Sequence, residues 1–159
     1  MFGLFKKKTL GLKAPMDGTV IDISEVPDAV FSQKMVGDGF AINPTDGSVK
    51  APCAGKIVQI FPTNHAFGIV SEEGVEVLVH IGIDTVELKG EGFTRIAEVG
   101  TSVNAGDEIV RVDLDVLKAH EKSAITPIVI TTPDKIKTMD VKLGPVNGGS
   151  DAAVLTLIG

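Results

Sequence analysis

Val75-Glu76-Val77-Leu78-Val79-His80-Ile81-Gly82-Ile83-Asp84-Thr85-Val86-Glu87-Leu88-Lys89-Gly90-Glu91-Gly92-Phe93 is the stretch on which the reading of this chain turns. After Val75 the apolar residues Val77, Val79, Ile81 and Ile83 fall at every second position, the period of a strand that buries one face. His80 therefore stands on the other face, with Glu76, Leu78, Gly82 and Asp84. An imidazole on a rigid strand, between a leucine and a bare glycine backbone with a carboxylate beyond, is well placed for chemistry.

The preceding stretch, Phe61-Pro62-Thr63-Asn64-His65-Ala66-Phe67-Gly68-Ile69, supplies a second imidazole. If it is extended, Thr63, His65 and Phe67 share one face, and a turn at Glu72-Glu73-Gly74 returns the chain antiparallel. His65 and His80 are then opposite or nearly opposite, close enough to touch.

Such a pair admits three readings. The histidines can be incidental surface residues. They can be zinc ligands, although a catalytic zinc usually takes three protein ligands and nothing beyond Asp84 suggests itself as the third. They can also carry phosphoryl transfer, with His80 as the nucleophile and His65 and Thr63 donating hydrogen bonds to phosphoryl oxygens. Local chemistry favours this last reading, because a neutral imidazole attacks through one nitrogen only if the other holds the proton. A backbone carbonyl exposed at Gly82 can fix that tautomer. The chain has no phosphate loop of the GxxxxGK[ST] type, so the phosphoryl donor is not expected to be a nucleotide held by this chain.

Outward from these stretches, the sequence from Lys13 is a series of short strand-like segments broken by Gly, Pro and Asp. Two segments repeat each other: Ala14-Pro15-Met16-Asp17-Gly18-Thr19-Val20-Ile21 and Ala51-Pro52-Cys53-Ala54-Gly55-Lys56-Ile57-Val58. Each is a turn with a Gly feeding a strand, which predicts two related hairpin units packed together. Further turns at Gly37-Asp38, Gly106-Asp107 and Gly148-Gly149-Ser150 suggest an all-β fold of about ten strands, a β-sandwich or partly closed barrel with a duplicated hairpin motif. Asp113 to Glu121 reads as a short helix with Asp113 as N-cap, and Pro133 to Lys137 as a second helical turn. His120, at the end of the first helix, reads as a solvated residue. Ala153 to Ile158 reads as a closing strand.

The chain's 159 residues are the size of one domain, assigned to residues 13–159 after a flexible segment over residues 1–12. Met1 to Lys8, MFGLFKKK, has an apolar cluster and three lysines that can touch an anionic membrane surface but cannot span one. A net charge of -6 and the absence of Trp and Tyr argue against nucleic acid and for basic protein partners. The single cysteine, Cys53, cannot form an internal disulfide, and the sequence shows no secretory signal, so a reducing cytoplasm is the expected compartment. In its APCAG setting Cys53 reads as a small buried packing residue.

Three segments then carry a resemblance: APMDGTVIDISEVPDAVFSQKMVGDGFAI at 14–42, FPTNHAFGI at 61–69 and VHIGIDTVELKGEGF at 79–93. From about Ala14 to the C-terminus the chain resembles the glucose-type enzyme IIA of the bacterial phosphoenolpyruvate-dependent sugar phosphotransferase system. The resemblance implies a β-sandwich phosphocarrier without a cofactor. It implies that His80 takes a phosphoryl group from the phosphohistidine of HPr and passes it to a cysteine of a sugar-specific IIB domain. His65 and Thr63 would support the phosphorylated state, Asp28 and Asp84 would flank the docking face, and Val30, Phe31 and Phe61 would form its apolar patch. Leu78 stands where some members have Phe and keeps the patch apolar. Regulatory partners through the same face are a further expectation.

Two rival classes are weighed against this. APMDGTV also resembles the opening of biotinyl and lipoyl carrier domains, for which Lys34 would be the modified residue, although it lies before a Gly-Asp turn. A zinc hydrolase on a similar hairpin architecture would use His65 and His80 as ligands.

Overall fold

A computed structural model describes residues 8–158. Fourteen strands alternate with two short α-helices: β1 (Thr9–Lys13), β2 (Gly18–Asp22), α1 (Ala29–Ser32), β3 (Asp38–Pro44), β4 (Ser48–Lys50), β5 (Gly55–Ile60), β6 (Ala66–Val70), β7 (Glu76–His80), β8 (Phe93–Arg95), β9 (Ser102–Val103), β10 (Glu108–Val112), α2 (Leu114–Ala119), β11 (Thr126–Ile130), β12 (Ile136–Val141), β13 (Gly144–Val146) and β14 (Asp151–Leu157). The strands form one eight-stranded sheet in the order β13-β2-β3-β11-β7-β6-β5-β9 and two three-stranded sheets, β1-β14-β12 and β4-β10-β8. All described pairings are antiparallel. The fold is an all-β sandwich, and its strands do not run round into a closed barrel. The described residues hold fourteen strands where the turn spacing suggests about ten, because two- and three-residue pieces such as β9 and β4 are too short to show a period.

Duplication is visible in the hydrogen bonds. Lys13 N–H donates to Pro52 C=O at 2.7 Å, and Lys50 N–H donates to Pro15 C=O at 2.7 Å, so the repeated Ala-Pro segments clasp each other reciprocally. Ala14 exchanges backbone bonds with Gly149 and Ser150, and Ala51 does the same with Gly106 and Asp107. The two hairpin units are thus related by an approximate two-fold, and each closes on a Gly-containing turn that satisfies its backbone groups. Cys53 lies in this clasp, buried, with its thiol pushed up to about 12 by burial and by the Glu73 carboxylate.

The main core lies between the sheets, built on Phe40, Ile42, Ile57, Phe67, Ile69, Val77, Val79, Ile128 and Leu155. A second, smaller cluster forms on the outer face of the large sheet from Ile23, Val26, Phe31, Ala41, Ile83 and Val129, with Leu78 packed against it. β11 is buried at all five positions because one of its faces meets each cluster. The cover of the outer cluster is the segment between β2 and β3, in which a 3-10 turn at Ile23–Glu25 leads into α1.

Several expectations shift. α1 is an addition to the sequence reading, four residues long and too short for helical periodicity to mark it. α2 begins after its N-cap Asp113, whose carboxylate accepts from Asp115 N–H, and ends before His120. The turn at Pro133–Lys135 is 3-10, and β14 starts two residues earlier than the expected closing strand. Residues 9–13 are strand β1, paired with β14, and residues 1–7 of the expected flexible segment lie outside the described residues. No helix among the described residues is long and apolar enough to cross a membrane.

Candidate functional site

Strand parity holds through Ile81, which still joins the main core, and fails after it. Val77 and Val79 are buried in the core, and Leu78 and His80 face the outer side, but β7 stops at His80. Gly82 (φ 77°) and Asp84 (φ 57°) are both left-handed, so the chain turns away from the sheet and Ile83 enters the outer cluster instead of continuing the inner face. This turn brings the Gly82 carbonyl to 2.8 Å from His80 Nδ1. A carbonyl only accepts, so Nδ1 carries the proton and Nε2 keeps its lone pair. Gly82 has no substitute here, because a Cβ would lie 2.6 Å from Thr85 Cγ2 and 2.9 Å from the Ser123 carbonyl oxygen.

His65 arrives by a route that differs from the extended segment read in the sequence. Asn64 is left-handed (φ 62°), and its N–H donates to Phe61 C=O at 2.7 Å, so Phe61 to Asn64 is a turn and β6 begins only at Ala66. Thr63, His65 and Phe67 therefore share no face: Phe67 is buried in the main core. Ala66 is the cross-strand partner of His80, and His65 sits one position off, its carbonyl accepting from Ile81 N–H at 2.6 Å. The imidazoles nevertheless meet, with centroids 5.1 Å apart and ring planes at 81°. Thr63 Oγ1 lies 2.5 Å from His65 Nδ1. Arg95 steadies the turn, its Nε donating to Asn64 Oδ1 at 2.8 Å.

The aromatic residues frame this pair. Phe31, from α1, stands 5.0 Å from the His80 ring and is only 6% exposed, so it is both a wall of the site and part of the outer cluster. Phe61 meets His65 edge-on at 5.3 Å and is half-buried. Leu78 is half-buried beneath Phe31's cluster, and Val30 is exposed. Asp28 is the N-cap of α1, its Oδ1 accepting from Val30 N–H at 2.9 Å, while Asp84 is exposed.

Electrostatically, both rings are held neutral. Burial and the neighbouring His80 lower His65 to about 4. Burial also lowers His80, and this outweighs the opposing pull of the Gly82 carbonyl, Asp28 and Asp84. The site is thus an accessible neutral imidazole with a defined free nitrogen, beside a second, more buried neutral imidazole. Among the described residues no three His, Cys, Asp or Glu are grouped to hold a metal ion. Lys34 follows α1 and pairs with Asp38 at 3.4 Å, in a connection between helix and strand and not at a hairpin tip.

Residues 10–136 match the family described as the phosphoenolpyruvate-dependent sugar phosphotransferase system, EIIA 1. The chain belongs to that family. It is 49% identical over 148 residues to the PTS system glucose-specific EIIA component of Borreliella burgdorferi, covering 92% of this chain and 78% of that protein. It is 48% identical to the component of the same name from Haemophilus influenzae, covering 99% of this chain and 95% of the relative. The solved structure of glucose permease IIA from Mycoplasma capricolum superposes with a TM-score of 0.84 at 46% identity, covering 92% of this chain and 96% of that one. Membership places the chain in a sugar phosphotransferase system, so phosphoryl transfer is the chemistry to which the paired imidazoles are to be related. Sequence reading reached the two histidines but missed Arg95, Thr85 and Ser123, which act on the site's backbone and carry no motif of their own.

Proposed function

We propose that this chain is a phosphocarrier in which His80 Nε2 accepts a phosphoryl group from the phosphohistidine of HPr and delivers it to a cysteine of a sugar-specific IIB domain. The observation that carries the reading is the bond between His80 Nδ1 and the Gly82 carbonyl, which leaves Nε2 as the nucleophilic atom. In the first step the Nε2 lone pair forms the new N–P bond, and the electron pair of the broken N–P bond returns to the donor imidazole of HPr. In the second, the IIB thiolate attacks phosphorus and the N–P pair returns to Nε2. Nδ1 keeps its proton throughout.

With the Thr63 hydroxyl donating to His65 Nδ1, the neutral His65 ring carries its proton on Nε2 and can donate it to a phosphoryl oxygen. Thr63 thus acts through His65. Phe31, Phe61, Leu78 and Val30 supply an apolar centre for transient partners, and Asp28 and Asp84 supply an acidic rim for basic ones. Regulatory partners would meet the same face. The reducing cytoplasm suits a thiol acceptor.

Transfer of label from phosphoenolpyruvate through enzyme I and HPr tests the proposal. His80→Ala is expected to abolish acid-labile labelling. His65→Ala is expected to keep some labelling but to lose roughly a hundredfold or more in transfer to IIB, the scale of losing one oxyanion-type donor. If His80→Ala still took label and His65→Ala did not, the roles would be reversed.

A further inference from the structure

The Gly82 carbonyl can fix the His80 tautomer only if its own peptide plane is fixed. In a trans peptide the C=O and the following N–H point in opposite directions, so anchoring one aims the other. Ile83 N–H donates to the Ser123 carbonyl at 3.0 Å, which turns the Gly82 carbonyl back toward His80 Nδ1. One peptide earlier, Ile81 is held on both sides: its N–H donates to His65 C=O at 2.6 Å and its C=O accepts from Thr85 Oγ1 at 2.6 Å.

Thr85 is fully buried, and the placement of its methyl group against Gly82 leaves no room for a Cβ there. The Ser123 segment is seated in turn by Lys122, whose ammonium pairs with Glu87 and whose N–H donates to Leu117 C=O at 2.8 Å at the end of α2. A buried hydroxyl and a carbonyl from a separate part of the chain therefore converge on the two peptides that flank Gly82.

We propose that Thr85 and the Lys122–Ser123 segment are positioning groups for phosphoryl transfer, which together aim the Gly82 carbonyl at His80 Nδ1 and keep Nε2 free. The inference rests on the reading of His80 as acceptor. None of these groups touches the transferred phosphoryl group. They act through the carbonyl, so their loss redistributes the proton between the ring nitrogens before it changes anything else.

Thr85→Val keeps the shape and deletes the hydroxyl, and Thr85→Ser restores it. The readout is the nitrogen chemical shifts of His80 in the unphosphorylated protein, alongside the rate of labelling by phospho-HPr and the Tm. In Thr85→Val the share of the tautomer protonated at Nδ1 is expected to fall and labelling to slow roughly tenfold, the scale of one buried hydrogen bond. Thr85→Ser is expected to recover both. A folded Thr85→Val with wild-type nitrogen shifts and a wild-type labelling rate overturns the proposal. Should Thr85→Val fail to fold, Lys122→Met decides: a smaller shift in the same direction at unchanged Tm supports the positioning role, and unaltered His80 resonances overturn it. Because the tautomer is measured without any partner, this outcome is distinct from a failure of His80→Ala to abolish labelling, which would remove the acceptor reading itself.

Discussion

At the scale of single residues, the site is defined by which atoms are denied a choice. His80 has one nitrogen committed to a carbonyl, which only accepts, and in the proposed mechanism His65 has one committed to the hydrogen of the Thr63 hydroxyl. The residue on which the first commitment depends most directly is Gly82, left-handed and enclosed by Thr85, Ser123 and Leu117. Gly82→Ala is expected to cost well over about 1 kcal/mol, since the new methyl meets both a left-handed backbone and a backbone oxygen that cannot move aside cheaply. Urea denaturation checks the loss. Nitrogen shifts of His80 check that the tautomer is disturbed with it. Cys53, by contrast, offers no chemistry at this scale, because burial keeps its thiol protonated.

At the scale of elements, the segment from Ile23 to Ser32 acts as a cover that joins site and core. It buries Ile23, Val26 and Phe31 on the outer face of the large sheet, and Phe31 simultaneously desolvates His80. Phe31→Ala is therefore expected to do two things together. Stability should fall by about 3–5 kcal/mol, as for other buried Phe truncations. The His80 pKa should rise toward its ordinary value, because burial is the largest cause of its depression. A proton titration of the His80 ring together with a thermal melt checks both. A loss of stability with no rise in the pKa would show that Phe31 packs the cover without desolvating the ring. Asp28 belongs to the same element: as N-cap of α1 it holds the cover while standing close enough to His80 to oppose the effect of burial.

At the scale of the whole molecule, the two depressed histidines link folding to pH. His65 is lowered from 6.5 to about 4 in the native state, so between these values the unfolded chain binds a proton that the native chain does not. Stability contributed by the neutral ring is complete above about pH 6.5 and is lost as pH falls toward 4. His80, lowered in the same direction, adds to the slope. Asp46, raised by burial and by Asp17, works against it at the lower end, while Asp22 and Glu108, both depressed by hydrogen bonds, lose their contribution only at more acid pH. Denaturation midpoints measured from pH 7 to 4 are expected to fall steadily in the wild type. His65→Gln should flatten that decline, and an unchanged slope would place the linkage elsewhere.

The all-β class, the duplicated Ala-Pro hairpins and the outward face of His80 were legible in the chain alone, since each follows from local alternation or a repeated turn. The reciprocal bonds between Pro15 and Lys50 and between Pro52 and Lys13 are the tertiary form of that repeat. The family likewise was legible, carried by three long matching segments. Local pattern failed where chain direction is set by left-handed residues or by distant partners. Asn64 turned an expected strand into a loop, and Gly82 with Asp84 ended β7 where alternation alone would have continued it. Phe31 was expected in the docking patch, and the packing of α1 against β7 and β11 made it a wall of the site and a core residue at once. The orientation of the Gly82 carbonyl was the tertiary structure's decision too. It depends on Ser123, some forty residues further along the chain, and no local propensity can express a hydrogen bond between segments that meet only when the sheet has formed.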